Sequence, residues 1–378
     1  MAVAASWLIV AFLLLGIHST EAQIGVCYGR LGDNLPCAEE VVNLYEYYNI
    51  GAMRLYEPDL PTLEALQGTN IQLMLGVRNQ DISCIGSDQS NADDWVETNV
   101  LPYATTIKYI AVGNEIKPNS TEAPWVEPAM QNILRTLNAN GLGTEIKVST
   151  AIDTGLIKNS YPPSNAEFSN LTYITPIINF LRVNDFPLLV NIQPYIAYMN
   201  APKGSIPLDY LLFRETHCVL NDTYNGVNLC YKNLFDAMYD AMYIATQKVC
   251  ECHNNSNKTL CQDKKSMSNY KPVQQAVSES GQSSGKFKKH HRFPVNFPAN
   301  FPANGDGDVV TTVENAKTYY KNLIKHVKKE GTPLRPGAIE TYLFAMFDED
   351  KKPGDESERF YGLFTNDGHP KYGKLDFS

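Results

Sequence analysis

Eight short apolar runs recur along this chain, and stretches with helical periodicity separate them. The runs are residues 24–28 (IGVCY), 52–56 (AMRLY), 71–77 (IQLMLGV), 109–113 (YIAVG), 147–150 (KVST), 188–192 (LLVNI), 273–278 (VQQAVS) and 339–347 (IETYLFAMF). Residues 38–48 carry Val41, Val42, Leu44, Tyr45 and Tyr48 on one helical face, and residues 125–139 bring Ile133, Leu134 and Leu137 together. Residues 234–249 and 313–327 follow the same period. Such alternation implies parallel βαβ units. Eight strands in 378 residues specify an α/β fold, a (β/α)₈ TIM barrel with long insertions flanking strand 7. An open doubly wound sheet is the competing architecture, but its G-x-G-x-x-G after the first strand is missing.

The insertions are residues 250–272 and 283–308, approximately. The first is polar and carries Cys250, Cys252 and Cys261. The second holds KFKKHHR at 286–292, read as a solvated loop, and the motif NFPA at 296–299 and again at 300–303.

In a barrel of this kind, functional residues sit at the C-terminal ends of the strands. The fourth run ends in Gly113-Asn114-Glu115 and the seventh in Ser278-Glu279-Ser280-Gly281. A glutamate at the end of an apolar strand is costly to bury unless it is used or paired. Two of them across a barrel mouth suggest the carboxylate pair that glycoside hydrolysis requires, with a structural ion pair as the alternative. Tyr28, Tyr56 and Tyr195 follow strands one, two and six, where an aromatic ring either supports a sugar face or packs the rim. His217, His290 and His291 have no metal-ligand spacing, so neither a metal nor an organic cofactor is expected.

The segments IGVCYG, MRLYEP, VGNEI, VSESG, ENAKTYYKNLI and ETYLFAMFDE resemble the plant endo-β-1,3-glucanases, glycoside hydrolase family 17, and the resemblance runs from Gln23 to the last residues. It implies a (β/α)₈ barrel and retaining hydrolysis of internal β-1,3-glucosidic bonds in callose, laminarin or fungal wall glucan, in defence or wall remodelling. By the same resemblance Glu115 matches the acid/base and Glu279 the nucleophile. Tyr28, Tyr56 and Tyr195 match cleft positions, and Glu340 and Glu349 match carboxylates lining the same cleft. Asn114 matches a residue that hydrogen-bonds a sugar 2-hydroxyl or the nucleophile; a turn role is the alternative. The chain departs from the family at Gln282, where a Trp is usual, at Gln193, where an aromatic is usual, and in the two insertions. A glucan-binding barrel with weak or lost hydrolysis, and a mixed β-1,3-1,4-glucanase, stay open at this level.

Residues 7–17 (WLIVAFLLLGI) are too few to span ~30 Å of hydrocarbon and match the apolar region of a secretory signal peptide. Thr20 and Ala22 suit a cut before Gln23, leaving one domain, residues 23–378, secreted to the cell wall or apoplast. Sequons at Asn119, Asn170, Asn221, Asn254 and Asn257 agree with that address. The eight cysteines then favour disulfides, with Cys250, Cys252 and Cys261 pairing among themselves or with Cys218 or Cys230, against a zinc site as rival. Cys27, inside a strand, reads as a buried free thiol. Apolar residues at 43% exclude general disorder, and a net charge of -9 argues against nucleic acid as partner. The expected partner is a β-1,3-glucan polysaccharide bound by a monomer without a membrane anchor.

Overall fold

The computed structural model describes residues 23–249, 271–285 and 310–377. The apolar runs become β1 (Ile24–Cys27), β2 (Ala52–Leu55), β3 (Gln72–Val77), β4 (Ile107–Asn114), β5 (Lys147–Asp153), β6 (Leu188–Asn191), β7 (Gln275–Ser280) and β8 (Thr341–Leu343). They form a closed parallel barrel in which each strand pairs with its sequence neighbour and β8 returns to β1 through Ile24↔Thr341. Strands covered on both faces must be apolar on both, which is why they read as runs rather than as alternations. Every residue of β1, β2, β6, β7 and β8 is buried.

Helices clothe the barrel. Ala38–Tyr47 buries Val41, Val42 and Tyr45, and Val126–Ala139 buries Met130, Ile133, Leu134 and Leu137. Three further helices start at side-chain caps: Asn170 accepts from Tyr173 N ahead of Leu171–Asn184, Asn233 from Asp236 N ahead of Leu234–Lys248, and Thr312 from Asn315 N ahead of Val313–Lys329.

Two expectations change and one is met. The eighth strand is only Thr341–Leu343, and the chain beyond it runs as an irregular segment between β1 and β7, with Phe344 N donating to Ser280 O (2.9 Å) and Met346 N to Cys27 O (2.7 Å). The polar seventh strand is a full barrel member, with Gln275 buried and its Nε2 donating to Thr246 Oγ1 at 3.2 Å. Cys218 pairs with Cys230 rather than with a residue of the 250–272 segment, closing a hairpin of Leu220–Tyr224 and Val227–Tyr231. Asn225 and Gly226 turn that hairpin with φ of 51° and 80°, the left-handed pair an Asn-Gly turn supplies. Cys27 is buried as expected, its thiol donating to Ser278 O at 3.3 Å and pushed up to about 12 by burial. Residues 1–22, expected as a leader, together with Cys250, Cys252, Cys261, Asn254, Asn257, the 286–292 run and the NFPA repeat, lie outside the described residues. Among the described residues no helix is long and apolar enough to cross a membrane.

The two strands that carry the glutamates are irregular in the same way. Against β5, β4 advances from Ala111↔Ser149 to Asn114↔Ala151, so one residue is extra. In β7, Val277↔Val190 is followed by Glu279↔Asn191 on one side, and Val277↔Thr341 by Ser280↔Leu343 on the other, again one residue extra. A bulge of this kind re-aims the side chains that follow it.

Candidate active site

The β4 bulge is completed by backbone that turns left-handed at Gly113 (φ 77°) and at Glu115 (φ 55°). For a glutamate this conformation costs about 1 kcal/mol and persists only where neighbours hold it. Asn79 does the holding: its Oδ1 accepts from Asn114 N at 2.8 Å and its Nδ2 donates to Asn114 O at 3.0 Å. Glu115 N donates to Ala151 O at 2.9 Å, which fixes the residue over the end of β5.

At the end of β7, Glu279 is buried and its Oε1 accepts from Arg54 Nη1 (2.9 Å) and from Tyr56 OH (2.8 Å). Its Oε2 has a weaker contact, Gln193 Nε2 at 3.4 Å. The amide of Gln193 is oriented by Gly281 N, which donates to Gln193 Oε1 at 3.1 Å. No side chain fits at Gly281, where a Cβ would lie 2.2 Å from Phe344 O.

Arg54 and Asn191 join the two glutamates. Arg54 is only 1% exposed and donates, besides to Glu279, to Ser278 O (2.8 Å), Asn191 Oδ1 (3.2 Å) and Asn114 Oδ1 (2.8 Å). Asn191 Nδ2 donates to Glu115 Oε1 at 2.8 Å and to Asn114 Oδ1 at 3.0 Å, while Ser278 Oγ donates to Asn191 Oδ1 at 2.7 Å. The carbonyl of Ser278, at the bulge, accepts from Arg54 Nη1 and from the Cys27 thiol. Burial, and then the charges of Glu279 and Asp153, push Glu115 up to about 7, against the opposing hydrogen bond from Asn191. The arrangement therefore sets a carboxyl held protonated near neutrality beside a carboxylate ion-paired to a buried arginine.

Arg54 and Asn191 carry the network and were missed in the sequence. The signal was present: a lone arginine inside AMRLY and a lone asparagine at the end of LLVNI are polar groups in strands buried on both faces, and each must have a partner.

Other expected site residues divide. Tyr56 remains partly exposed and touches Glu279, with the Arg54 guanidinium 4.5 Å from its ring centroid. Asn114 is in the network described. Tyr28 is nearly buried, edge-on to Phe347 at 5.9 Å. Glu349 is buried at the mouth, accepts from Leu31 N at 3.1 Å, and sits where a side chain at Gly29 would strike it. Burial raises its pKa, with the charge of Glu279 contributing.

Glu340 is not brought to this group. It precedes β8, and its carboxylate accepts from Lys108 Nζ (2.8 Å) and Tyr109 OH (2.9 Å) at the start of β4, the opposite end of the barrel. Tyr195 offers no ring face to the mouth: it lies on the buried side of helix Pro194–Asn200, 0% exposed, with its ring centroid 6.0 Å from that of Tyr361. The Gln282 position is also behind the wall, 0% exposed, so the residue there is not a cleft platform. Its Oε1 has no hydrogen-bond partner among the described residues. Replacing it with Met is expected to raise stability by ~1 kcal/mol through removal of an unsatisfied buried polar atom; a lowered Tm would contradict that account. Among the described residues no cluster of three or more His, Cys, Asp or Glu is placed to hold a metal ion.

The model of glycosyl hydrolases family 17 matches residues 24–254 and 297–377. Residues 255–296, which include β7, fall between the matched segments. A glucan endo-1,3-β-glucosidase of Vitis vinifera is 44% identical over 379 residues, spanning 98% of this chain and 96% of its own. Glucan endo-1,3-β-glucosidase B of Solanum lycopersicum is 43% identical, spanning 94% and 88%. Among solved structures, a β-1,3-glucanase and allergen of Cryptomeria japonica pollen superposes with a TM-score of 0.77 at 36% identity, covering 94% of this chain and 99% of its own. One of two plant β-glucan endohydrolases with distinct substrate specificities superposes with a TM-score of 0.76 at 33% identity, covering 93% and 99%.

Proposed function

The chain belongs to glycosyl hydrolases family 17, and from that premise we propose that it hydrolyses internal β-1,3-glucosidic bonds of β-1,3-glucans with retention, using Glu115 as acid/base and Glu279 as nucleophile. The observation that carries the proposal is the pair of glutamates at the ends of β4 and β7, joined through Asn191 and Arg54, with Glu115 poised near neutrality.

In the first step Glu279 attacks the anomeric carbon while Glu115 gives its proton to the departing glycosidic oxygen. Of the nucleophile's oxygens, Oε1 is engaged by Arg54 and Tyr56, so Oε2, which among the described residues has the 3.4 Å Gln193 contact alone, is the one free to form the ester. Esterification removes the negative charge of Glu279. The repulsion that helped hold the proton on Glu115 goes with it, and Glu115 becomes the better base. It then takes a proton from water, the oxygen attacks the same carbon, and Glu279 leaves as carboxylate. Glu349 lines the same mouth and Tyr56 reaches the nucleophile, so both are placed to meet sugar.

The Cys218–Cys230 disulfide supports an oxidising compartment and so, with the N-terminal apolar run, supports secretion. Asn119, Asn170 and Asn221 are exposed, as glycan carriers must be.

Laminarin is the substrate to test. Oligosaccharides are expected as early products, with the new reducing end first in the β configuration by NMR. Glucose alone from the outset would remove the endo reading, and α-configured first product would remove retention. Cleavage of mixed β-1,3-1,4-glucan with laminarin left intact would reassign the linkage.

A further inference from the structure

We propose that Tyr319 and Tyr320, consecutive on helix Val313–Lys329, are positioning residues that hold the Glu279 segment of β7 in register; the proposal rests on Glu279 being the nucleophile. The need for such a device follows from the bulge. With one residue extra against both β6 and β8, the Glu279-Ser280-Gly281-Gln282 stretch cannot be fixed by an even ladder alone. Part of it is tied by backbone: Ile192 N donates to Glu279 O at 2.8 Å and Phe344 N to Ser280 O at 2.9 Å. Gly281 N turns to Gln193, while the Ser280 hydroxyl and Gln282 N turn outward to helix Val313–Lys329.

Two hydroxyls receive them. The Ser280 Oγ and the Tyr319 OH lie 2.7 Å apart, one residue beyond the nucleophile. Gln282 N donates to Tyr320 OH at 3.2 Å. The same Tyr320 hydroxyl faces Phe344 O at 2.6 Å and Tyr361 O at 2.9 Å, and donates its single proton toward them. One side chain therefore joins the end of β7, the end of β8 and the segment at residue 361. Both rings are 0% exposed and pack edge-on to one another with centroids 5.8 Å apart. Tyr319 also meets Phe213, and Tyr320 meets Tyr372. Burial raises both hydroxyls above the usual phenol range.

Neither tyrosine hydrogen-bonds Glu279 itself. Arg54, Tyr56 and Gln193 orient the carboxylate, and the tyrosines fix the backbone from which it projects. A shift of about 1 Å in a reacting group can cost about 10²-fold in rate. Loss of either hydroxyl should then appear in kcat rather than in substrate binding.

The test uses Tyr320→Phe, Tyr319→Phe and Ser280→Ala in the full chain, assayed on laminarin well below each variant's Tm, with Ile133→Val as a destabilised control remote from the mouth. Tyr320→Phe is expected to lower kcat by ~10- to 100-fold, with KM within about 2-fold and the acid limb of the pH profile displaced. Tyr319→Phe should fall less. Ser280→Ala should match it, and the double variant should be no worse than either single one, as for partners in one bond. A folded Tyr320→Phe or Ser280→Ala with a lower Tm but the turnover and pH profile of wild type would overturn the proposal, since a purely structural role predicts that pattern, as in Ile133→Val. If Tyr320→Phe does not fold, the Tyr319/Ser280 cycle decides. Glu279→Gln runs alongside. If it keeps wild-type turnover, the nucleophile reading fails and the positioning proposal fails with it. If it is inactive while the tyrosine variants are not, only the positioning proposal falls.

Discussion

Replacing Glu279 by Gln is expected to lower turnover of laminarin by at least ~10⁴-fold, the scale seen when a hydrolase loses its covalent nucleophile. Gln is the informative first choice because it keeps an oxygen for Arg54 Nη1 and Tyr56 OH while removing the charge and the attacking group. Ala is the harsher variant. It leaves the buried Arg54 guanidinium without its ion-pair partner, a change that costs about 3 kcal/mol or more. Glu279→Ala should therefore show both lost activity and a lower Tm, where Glu279→Gln shows mainly the first. Ala also opens space beside the anomeric carbon. Azide added to Glu279→Ala with an aryl β-glucoside should enter from the vacated side and yield the α-glycosyl azide. A β-azide would instead place the vacated space on the acid/base side and reverse the two assignments. Undiminished laminarin cleavage by Glu279→Gln would remove Glu279 from the chemistry.

The barrel and its two glutamates were readable because both depend on local pattern. Strands buried on both faces must be apolar runs, and a glutamate ending such a run must be paired or used. What escaped depends on pairs far apart in the chain. Arg54 meets Glu279 and Asn114, and Tyr320 meets Gln282, Phe344 and Tyr361, through contacts that no periodicity encodes. Glu340 was placed wrongly for a reason the sequence did contain. In ETYLFAMFDE it and Glu349 flank β8, and a strand rises about 3.3 Å per residue, so the two carboxylates belong at opposite ends of the barrel. Tyr195 was misplaced because Pro194 starts a helix there, and its first turn faces the core. The departure from the family at Gln282 falls behind the barrel wall, away from the cleft, because that side chain is fully buried.

Glu115→Gln should separate the catalytic cost of that carboxyl from its structural cost. Gln cannot donate the proton, so cleavage of glucan should fall by about 10²–10⁴-fold. An aryl glucoside with a good leaving group needs no such proton in its first step and should suffer less there. In wild type, kcat/KM should decline on the basic side near pH 7, as Glu115 ionises at about 7. Stability runs the other way. The folded chain holds this proton up to about pH 7, whereas in the unfolded chain a glutamate gives it up near pH 4.3. Between those values the folded state binds more protons than the unfolded, so stability falls as pH rises through the window and the deficit remains above it. Gln carries no such deficit and can still accept from Asn191 Nδ2. Glu115→Gln should therefore be more stable than wild type at pH 8, by on the order of 3–4 kcal/mol, and about equal to it at pH 4. Paired Tm measurements across that range provide the check. A difference that does not change with pH would mean that Glu115 titrates in the fold as it does in water, and the poised acid at the end of β4 would have to be given up.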